Sequence, residues 1–279
     1  MIPLGLDPGI PVPNRSECLN DMSSSGEAIT TMRPVDYDAV AATYDQRYAR
    51  QAYDDVGRTL LDFIGDAGDS AALEVGCGTG HWLHLIASCV ATSVGVDRSW
   101  EMLQRAIIGA PAAMLVHAAA ERLPLADAQF HCGFCINALH HFTDAAGFMH
   151  ECRRVLRPGG RFLIIGLDPH SGDDQWWIYD FFPSARAADR ERYPSTDAIR
   201  EMLLAAGFVS VRSQVVQHLP ASRPYELALS QGLLDRRSTS QLMVISDAEF
   251  AAGMRRLERE RPTLRSDLRL YGTFASVPA

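Results

Sequence analysis

The segment Ala71-Ala72-Leu73-Glu74-Val75-Gly76-Cys77-Gly78-Thr79-Gly80-His81-Trp82-Leu83 limits what this chain can fold into more than any other stretch. A short apolar run ends in an acid. Three glycines follow at alternate positions, and apolar residues at helical spacing come next. This is the pattern of a strand, a tight turn and the start of a helix. Glycine is used where the backbone needs positive φ or must lie close to a ligand. At such a turn the free N–H groups of the helix start form a polar cradle. A dinucleotide fingerprint requires G-x-G-x-x-G. Here the third glycine comes one position early, and His81 stands in the expected place. A nicotinamide-dependent dehydrogenase is therefore disfavoured.

Composition narrows the classes further. The chain has 279 residues, 47% hydrophobic and 22% charged, in the range of globular proteins with a substantial core. The net charge of −8 gives no general basic footprint for nucleic acid or anionic membrane. All 26 basic residues are arginine. A pyridoxal phosphate enzyme needs a Schiff-base lysine, and a P-loop needs its own lysine, so both classes are excluded. No apolar run reaches bilayer-spanning length, and the N-terminus lacks a signal-peptide pattern. Cys18, Cys77, Cys89, Cys132, Cys135 and Cys152 are scattered and read as reduced thiols of a cytoplasmic protein. Residues 1–31, with Pro3, Pro8, Pro11, Pro13 and a Ser-Ser-Ser-Gly run, read as a disordered extension. The folded domain is expected over 32–279, with cap insertions near 167–193 and 218–266.

Further elements follow in α/β order. A second buried strand ends in Asp97, where an acid can accept hydrogen bonds from ribose hydroxyls. Ser99 is placed to cap a helix over 100–108. A third strand spans 112–116. A fourth, 131–136, leads into Asn137-Ala138-Leu139-His140-His141-Phe142. Thr143 is expected to cap a helix to Leu156. Arg157-Pro158-Gly159-Gly160 then stops the helix and turns the chain into strand five, 161–166. Ser195 caps an amphipathic helix that ends at Gly207. A sixth strand spans 208–216, cap helices span 224–234 and 246–260, and a last strand spans 268–277.

Taken in order, Glu74-x-Gly76-x-Gly78-x-Gly80, the acid at Asp97, the segment Ala119 to Phe130, the Ala138-Leu139-His140-His141-Phe142 turn and Leu156-Arg157-Pro158-Gly159-Gly160-Arg161-Phe162 resemble the class I S-adenosylmethionine-dependent methyltransferases of small-molecule type. The resemblance implies a Rossmann-like, doubly wound α/β sheet of seven strands, mostly parallel with an antiparallel last strand, and a helical cap. It implies methyl transfer from S-adenosylmethionine to a small-molecule acceptor, with release of S-adenosylhomocysteine. It places Glu74, Gly76, Cys77, Gly78 and Gly80 on the methionyl side and Asp97 on the ribose. Arg98, Met102, Ala120 and Glu121 would flank the adenine, and Asn137 and Ala138 would lie beside the sulfonium. Tyr37-Asp38 to Tyr44-Asp45 resembles the family's N-terminal cap, with Tyr44 as the lid residue. Two departures stand out: Ala119 and His131 replace acids common in the family.

Three further readings come from residue chemistry. His140 and His141 sit where a general base is useful, with His141 preferred. Trp177, Tyr179 and Phe182 belong to an aromatic-rich insertion at the binding edge of the sheet and are expected to form the acceptor pocket. Cys132-x-x-Cys135 lies on a strand, where residues three apart point to opposite faces, so no metal is expected. The partner is then a small molecule, without nucleic acid or membrane, in a monomer or homodimer. The alternatives are an RNA methyltransferase and a non-catalytic S-adenosylmethionine-binding regulator.

Overall fold

A computed structural model describes residues 35, 37–38, 40–50, 52–65 and 67–279. The expected disordered extension at 1–31 lies outside the described residues. In chain order the elements are α1 (Gln46–Arg50), α2 (Asp54–Ile64), β1 (Ala67–Val75), α3 (His81–Ile86), β2 (Val90–Asp97), α4 (Trp100–Gly109), β3 (Met114–His117), β4 (Phe130–Ile136) and α5 (Ala145–Val155). They continue as β5 (Leu156–Leu167), β6 (Gln175–Trp176), α6 (Trp177–Phe181), α7 (Pro183–Arg192), α8 (Thr196–Ala205) and β7 (Val209–Pro224). The chain closes with α9 (Tyr225–Ser230), α10 (Ser240–Val244), α11 (Asp247–Glu260) and β8 (Thr263–Ser276).

The sheet runs β3-β2-β1-β4-β5-β8, and both β7 and the two-residue β6 pair with β8. β1 to β5 are parallel to one another. β8 is antiparallel to β5 and β7. These are the seven expected strands with the expected antiparallel last strand, plus the short β6. β1 lies between β2 and β4, so the direction of winding reverses there. In an open α/β sheet that reversal opens a crevice at the carboxyl ends of the strands. β4 is almost wholly buried, as a central parallel strand covered on both faces must be. One face packs Val75, Phe148, Met149, Phe162 and Leu203. The other packs Leu60, Ile86, Phe134 and Leu163. Cys132 and Cys135 fall in these two opposite clusters.

Several features differ from the sequence reading, among them the starts of β5 at Leu156 and of β8 at Thr263. β7 runs on to Pro224, paired with Thr263 of β8. Its pairing with β8 alone leaves one edge free, where proline at 220 and 224 is tolerated because no ladder donor is needed. The cap of α5 is Asp144, whose Oδ1 accepts from Gly147 N at 2.8 Å, while Thr143 bonds to Glu121. The insertion at 167–193 and the later helices share one core: Ile178, Phe182, Ala185, Tyr225, Leu242 and Leu257 pack together. Ser99 and Ser195 cap their helices as expected, and Ser246 caps α11; they accept from the Met102, Ala198 and Glu249 N–H groups.

Candidate active site

The glycine turn joins β1 to α3 at the reversal of winding. All three glycines have positive φ: +76° at Gly76, +52° at Gly78 and +83° at Gly80. Their surroundings separate their roles. A Cβ on Gly76 would lie 2.4 Å from Ala138 Cβ, and one on Gly80 would lie 2.9 Å from Ala110 Cβ. Those two positions are small because other elements press against them. A Cβ on Gly78 would meet only the Tyr44 ring, at 3.8 Å. Gly78 therefore faces the open side of the turn. The thiol of Cys77 is buried among Leu83, Leu103 and Ala110, so Cys77 serves the packing behind the turn.

Two acids flank the turn. Glu74 is 1% exposed. Its Oε2 is buried and has no hydrogen-bond partner among the described residues. Burial first, and then the nearby Asp97, push its carboxyl well above the usual range. A buried polar atom without a partner is rare enough to point to a missing ligand. Asp97 holds the turn closed: Oδ2 accepts from Gly78 N at 2.8 Å and Oδ1 from Ser99 N at 2.8 Å. Each oxygen keeps a further lone pair for another donor. Burial raises the Asp97 pKa, opposed by these backbone bonds.

The N-terminal segment lies over this turn. Asp38 Oδ1 accepts from Ser99 Oγ, and Asp45 Oδ1 accepts from Thr79 Oγ1, each at 2.5 Å. Val40 and Ala41 pack on Met102, which is 2% exposed. Tyr44 covers Gly78. Arg47 donates to the Tyr44 hydroxyl and sits over the rings of Tyr44, Tyr48 and Tyr53 at 5.0–5.9 Å. Among the described residues its guanidinium has no carboxylate partner.

At the end of β4, Asn137 takes φ +53°, a left-handed conformation of the kind that gathers at functional sites. His140 stacks on Tyr193, with centroids 3.8 Å apart, and lies 3.7 Å from His141. The Tyr37 hydroxyl lies 2.5 Å from His141 Nε2. Burial, then His141, Arg192 and Arg47, hold His140 well below its ordinary pKa. Burial, then Arg192 and Arg47, bring His141 down to about 3. Both imidazoles are neutral at physiological pH. Tyr37 occupies Nε2 of His141, which leaves Nδ1 as the ring nitrogen not bonded to Tyr37.

A cavity of about 420 Å³ opens here, lined by Tyr37, Tyr44, Arg47, Asn137, His140 and Tyr193, and continuing along Trp176 and Trp177 into the cap. The insertion contributes Trp176 and Trp177 to this cavity. Tyr179 and Phe182 are not among the lining residues, which corrects the pocket read from sequence. Tyr179 donates to Asp189 Oδ2 at 2.7 Å, and Phe182 is fully buried against Phe250. Both belong to the cap core. On the adenine side, Ala120 is buried and Arg98 exposed. Glu121 Oε1 is taken by the Thr143 and Asp144 N–H groups and the Thr143 hydroxyl. Its side chain serves the approach to α5. Sequence reasoning missed Arg47, Tyr193, Arg223 and Arg237. Arg47 had a legible signal in its place among Tyr44, Tyr48 and Tyr53, and Tyr193 in being the last aromatic of the insertion.

Comparison with known proteins agrees with this geometry. A methyltransferase domain family model matches residues 73–164. The chain is 30% identical over 239 residues to a malonyl-[acyl-carrier protein] O-methyltransferase of Methylococcus capsulatus, covering 82% of this chain and 78% of that protein. It is 36% identical over 92 residues to a probable S-adenosylmethionine-dependent methyltransferase of Mycolicibacterium smegmatis, covering 33% of this chain and 36% of that protein. The chain thus spans about a third of the length of a relative matched over the core alone. The crystal structure of YcgJ from Bacillus subtilis shares the fold, with a TM-score of 0.59 at 19% identity over 81% of this chain and 99% of that one. Glycine turn, paired acids, sheet order and a relative aligned over most of its length together show that the chain belongs to the class I S-adenosylmethionine-dependent methyltransferases.

Proposed function

We propose that the protein transfers a methyl group from S-adenosylmethionine to a small-molecule acceptor in the cavity between the sheet and the cap. The observation that carries this reading is the buried Glu74 oxygen without a partner among the described residues, at the strand end that leads into the open turn at Gly78, with Arg47, which has no carboxylate partner among the described residues, held on Tyr44 above that turn. An α-amino acid carries the two charges that would satisfy both. Its ammonium would meet Glu74 and its carboxylate would meet Arg47. The free lone pairs of Asp97 suit ribose hydroxyls, and Met102 and Ala120 offer an apolar wall for the purine. Asn137 and Ala138 would stand beside the sulfonium. When bound, S-adenosylmethionine supplies a methyl group on an electrophilic sulfur.

The chain's own residues would exclude water and align the acceptor, and alignment supplies much of the acceleration in a reaction of this kind. Tyr44 and Tyr37 would close one side and Trp177 another. His140 would act as an aromatic wall stacked on Tyr193, and His141 would anchor the lid through Tyr37. Titration calorimetry with S-adenosylhomocysteine, with NAD as control, tests the cofactor. Micromolar binding of the first alone is expected, and binding of NAD alone would defeat the reading. A radiolabelled methyl-transfer screen over metabolites and RNA tests the acceptor class. Transfer to RNA alone would replace the small-molecule reading, and cofactor binding without transfer to anything would favour the regulator.

A further inference from the structure

The cap contributes its own walls to the cavity: Trp177, Leu219, Leu233 and Met243, with Arg223, Asp235 and Arg237 as its charged residues. Asp235 is engaged locally, its Oδ1 accepting from Arg237 N at 2.7 Å and capping the turn Arg236–Ser238. The adjacent Arg236 is pinned elsewhere, donating to Asp247 and to the carbonyl of Ile245. Arg237 differs. It lines the cavity, and its guanidinium has no hydrogen-bond or ion-pair partner among the described residues. Arg223, half-buried on β7 opposite Leu264, lines the same cavity. The cap's share of the cavity therefore sets apolar residues beside two arginines and one acid, Asp235, in a chain that carries 34 acids against 26 arginines.

We propose that the methyl acceptor is an amphipathic anion, with an apolar body against Trp177, Leu219 and Met243 and a carboxylate or phosphate held by Arg223 and Arg237. The proposal rests on the reading that the cap half of the cavity is the acceptor site. Guanidinium forks bind carboxylate and phosphate through paired, charge-assisted bonds. Near low-dielectric walls such a charge also draws anions in from solution. An acceptor bearing an ammonium would meet two arginines and a single carboxylate, Asp235, one of whose oxygens already accepts from Arg237 N. The anion would be the handle that orients the acceptor, leaving its nucleophilic atom to face Asn137 and His140.

The test titrates the full chain, saturated with S-adenosylhomocysteine, with four probes of one shape: 3-phenylpropanoate, 3-phenylpropyl phosphate, 3-phenylpropan-1-ol and 3-phenylpropylamine. Tryptophan fluorescence reports binding, since Trp176 and Trp177 line the cavity. The anions are expected to bind at least tenfold more tightly than the alcohol, with the amine weakest. The preferred anion identifies carboxylate or phosphate as the handle. Arg237→Met and Arg223→Met should each lose about fivefold for the anions and nothing for the alcohol, while Arg255→Met, on the exposed face of α11, leaves all four unchanged. Equal binding of all four probes, a preference for the amine, or the same loss in Arg255→Met would overturn the proposal. If Arg223→Met fails to fold, the wild-type ranking still decides. Calorimetry with S-adenosylhomocysteine on the same preparation separates the two readings. Its failure defeats the cofactor assignment, while the probe ranking without it still tests the anion site.

Discussion

Gly76 and Gly78 sit two residues apart with the same sign of φ, yet the same substitution should do different things to each. Alanine at 76 would press its Cβ into Ala138, 2.4 Å away. Strained φ plus overpacking should cost roughly 2–4 kcal/mol of stability. Alanine at 78 meets no protein atom closer than 3.8 Å, so the cost is the left-handed backbone alone, about 1–2 kcal/mol. Its methyl would stand in the ligand's space. Melting temperature should therefore fall more for Gly76→Ala, and affinity for S-adenosylhomocysteine should fall more for Gly78→Ala. The reverse order would mean that the open side of the turn is not the cofactor side. The glycine spacing in the sequence located this turn, but it did not tell the two roles apart, because Ala138 reaches Gly76 from a different strand. Asp97 carries a similar lesson. The sequence alone gives Asp97 a role toward the ribose and none in holding the turn. The structure shows its carboxylate holding the N–H groups of Gly78 and Ser99. Removing it should also cost about 1–3 kcal/mol of stability, visible as a lowered melting temperature without ligand.

At the level of elements, the N-terminal segment behaves as a strap tied at three points. Asp38 binds Ser99, Asp45 binds Thr79, and Tyr37 binds His141. The first two ties hold the strap to the glycine turn and to the start of α4, and the third to the end of β4. The large sheet clusters lie elsewhere, so loosening the strap should leave the core intact. The double variant Tyr37→Phe, Asp45→Ala should speed amide hydrogen exchange over 37–48 by an order of magnitude or more, as local opening does when few bonds oppose it. Its melting temperature should change little, and its affinity for S-adenosylhomocysteine should drop. Unchanged exchange would show that packing of Val40 and Ala41 on Met102 holds the strap without those bonds. The sequence made Tyr44 legible as a lid residue because the Tyr-Asp pairs sit just before the first helices. The aromatic insertion was harder. Six aromatics in 167–193 mark a segment with an apolar surface to hide, but they do not say which rings face a cavity. Phe182 is claimed by α11, where a Cβ on Gly253 would lie 2.2 Å from its ring. That helix lies far along the chain and offers no local sign of the contact.

For the whole molecule, much of the sheet was readable because β1, β2 and β4 end at or beside Glu74, Asp97 and Asn137, and the Arg-Pro-Gly-Gly segment marks the start of β5. What the sequence could not supply was the electrostatic state of the centre, which depends on burial and on charges brought in from α1 and α7. Arg47 and Arg192 add to burial in keeping His140 and His141 neutral. This has a thermodynamic consequence. The folded His141 titrates near 3, while the unfolded side chain titrates near 6.5. Below pH 6.5 the unfolded chain binds a proton that the folded chain refuses. The stability associated with His141 is complete above about 6.5 and is lost as pH falls toward 3, at up to about 1.4 kcal/mol per pH unit. The raised carboxyl of Asp174, pushed up to about 6 by burial, acts with opposite sign, losing stability as pH rises from the ordinary carboxylate range toward 6. The difference between wild type and His141→Gln isolates the histidine. Chemical denaturation from pH 7.5 to 4.5 should show the wild type losing stability to acid more steeply than the variant. Activity gives the second half of the argument. An imidazole that stays neutral throughout this range adds no acidic limb to kcat/KM, and with Nε2 occupied by Tyr37 it has no lone pair there to offer an acceptor's proton. The pH profiles of wild type and His141→Gln should therefore share their shape, the variant differing in height as its lid anchor weakens. A limb near pH 6 to 7 that is present in wild type and absent in the variant would restore His141 as the general base.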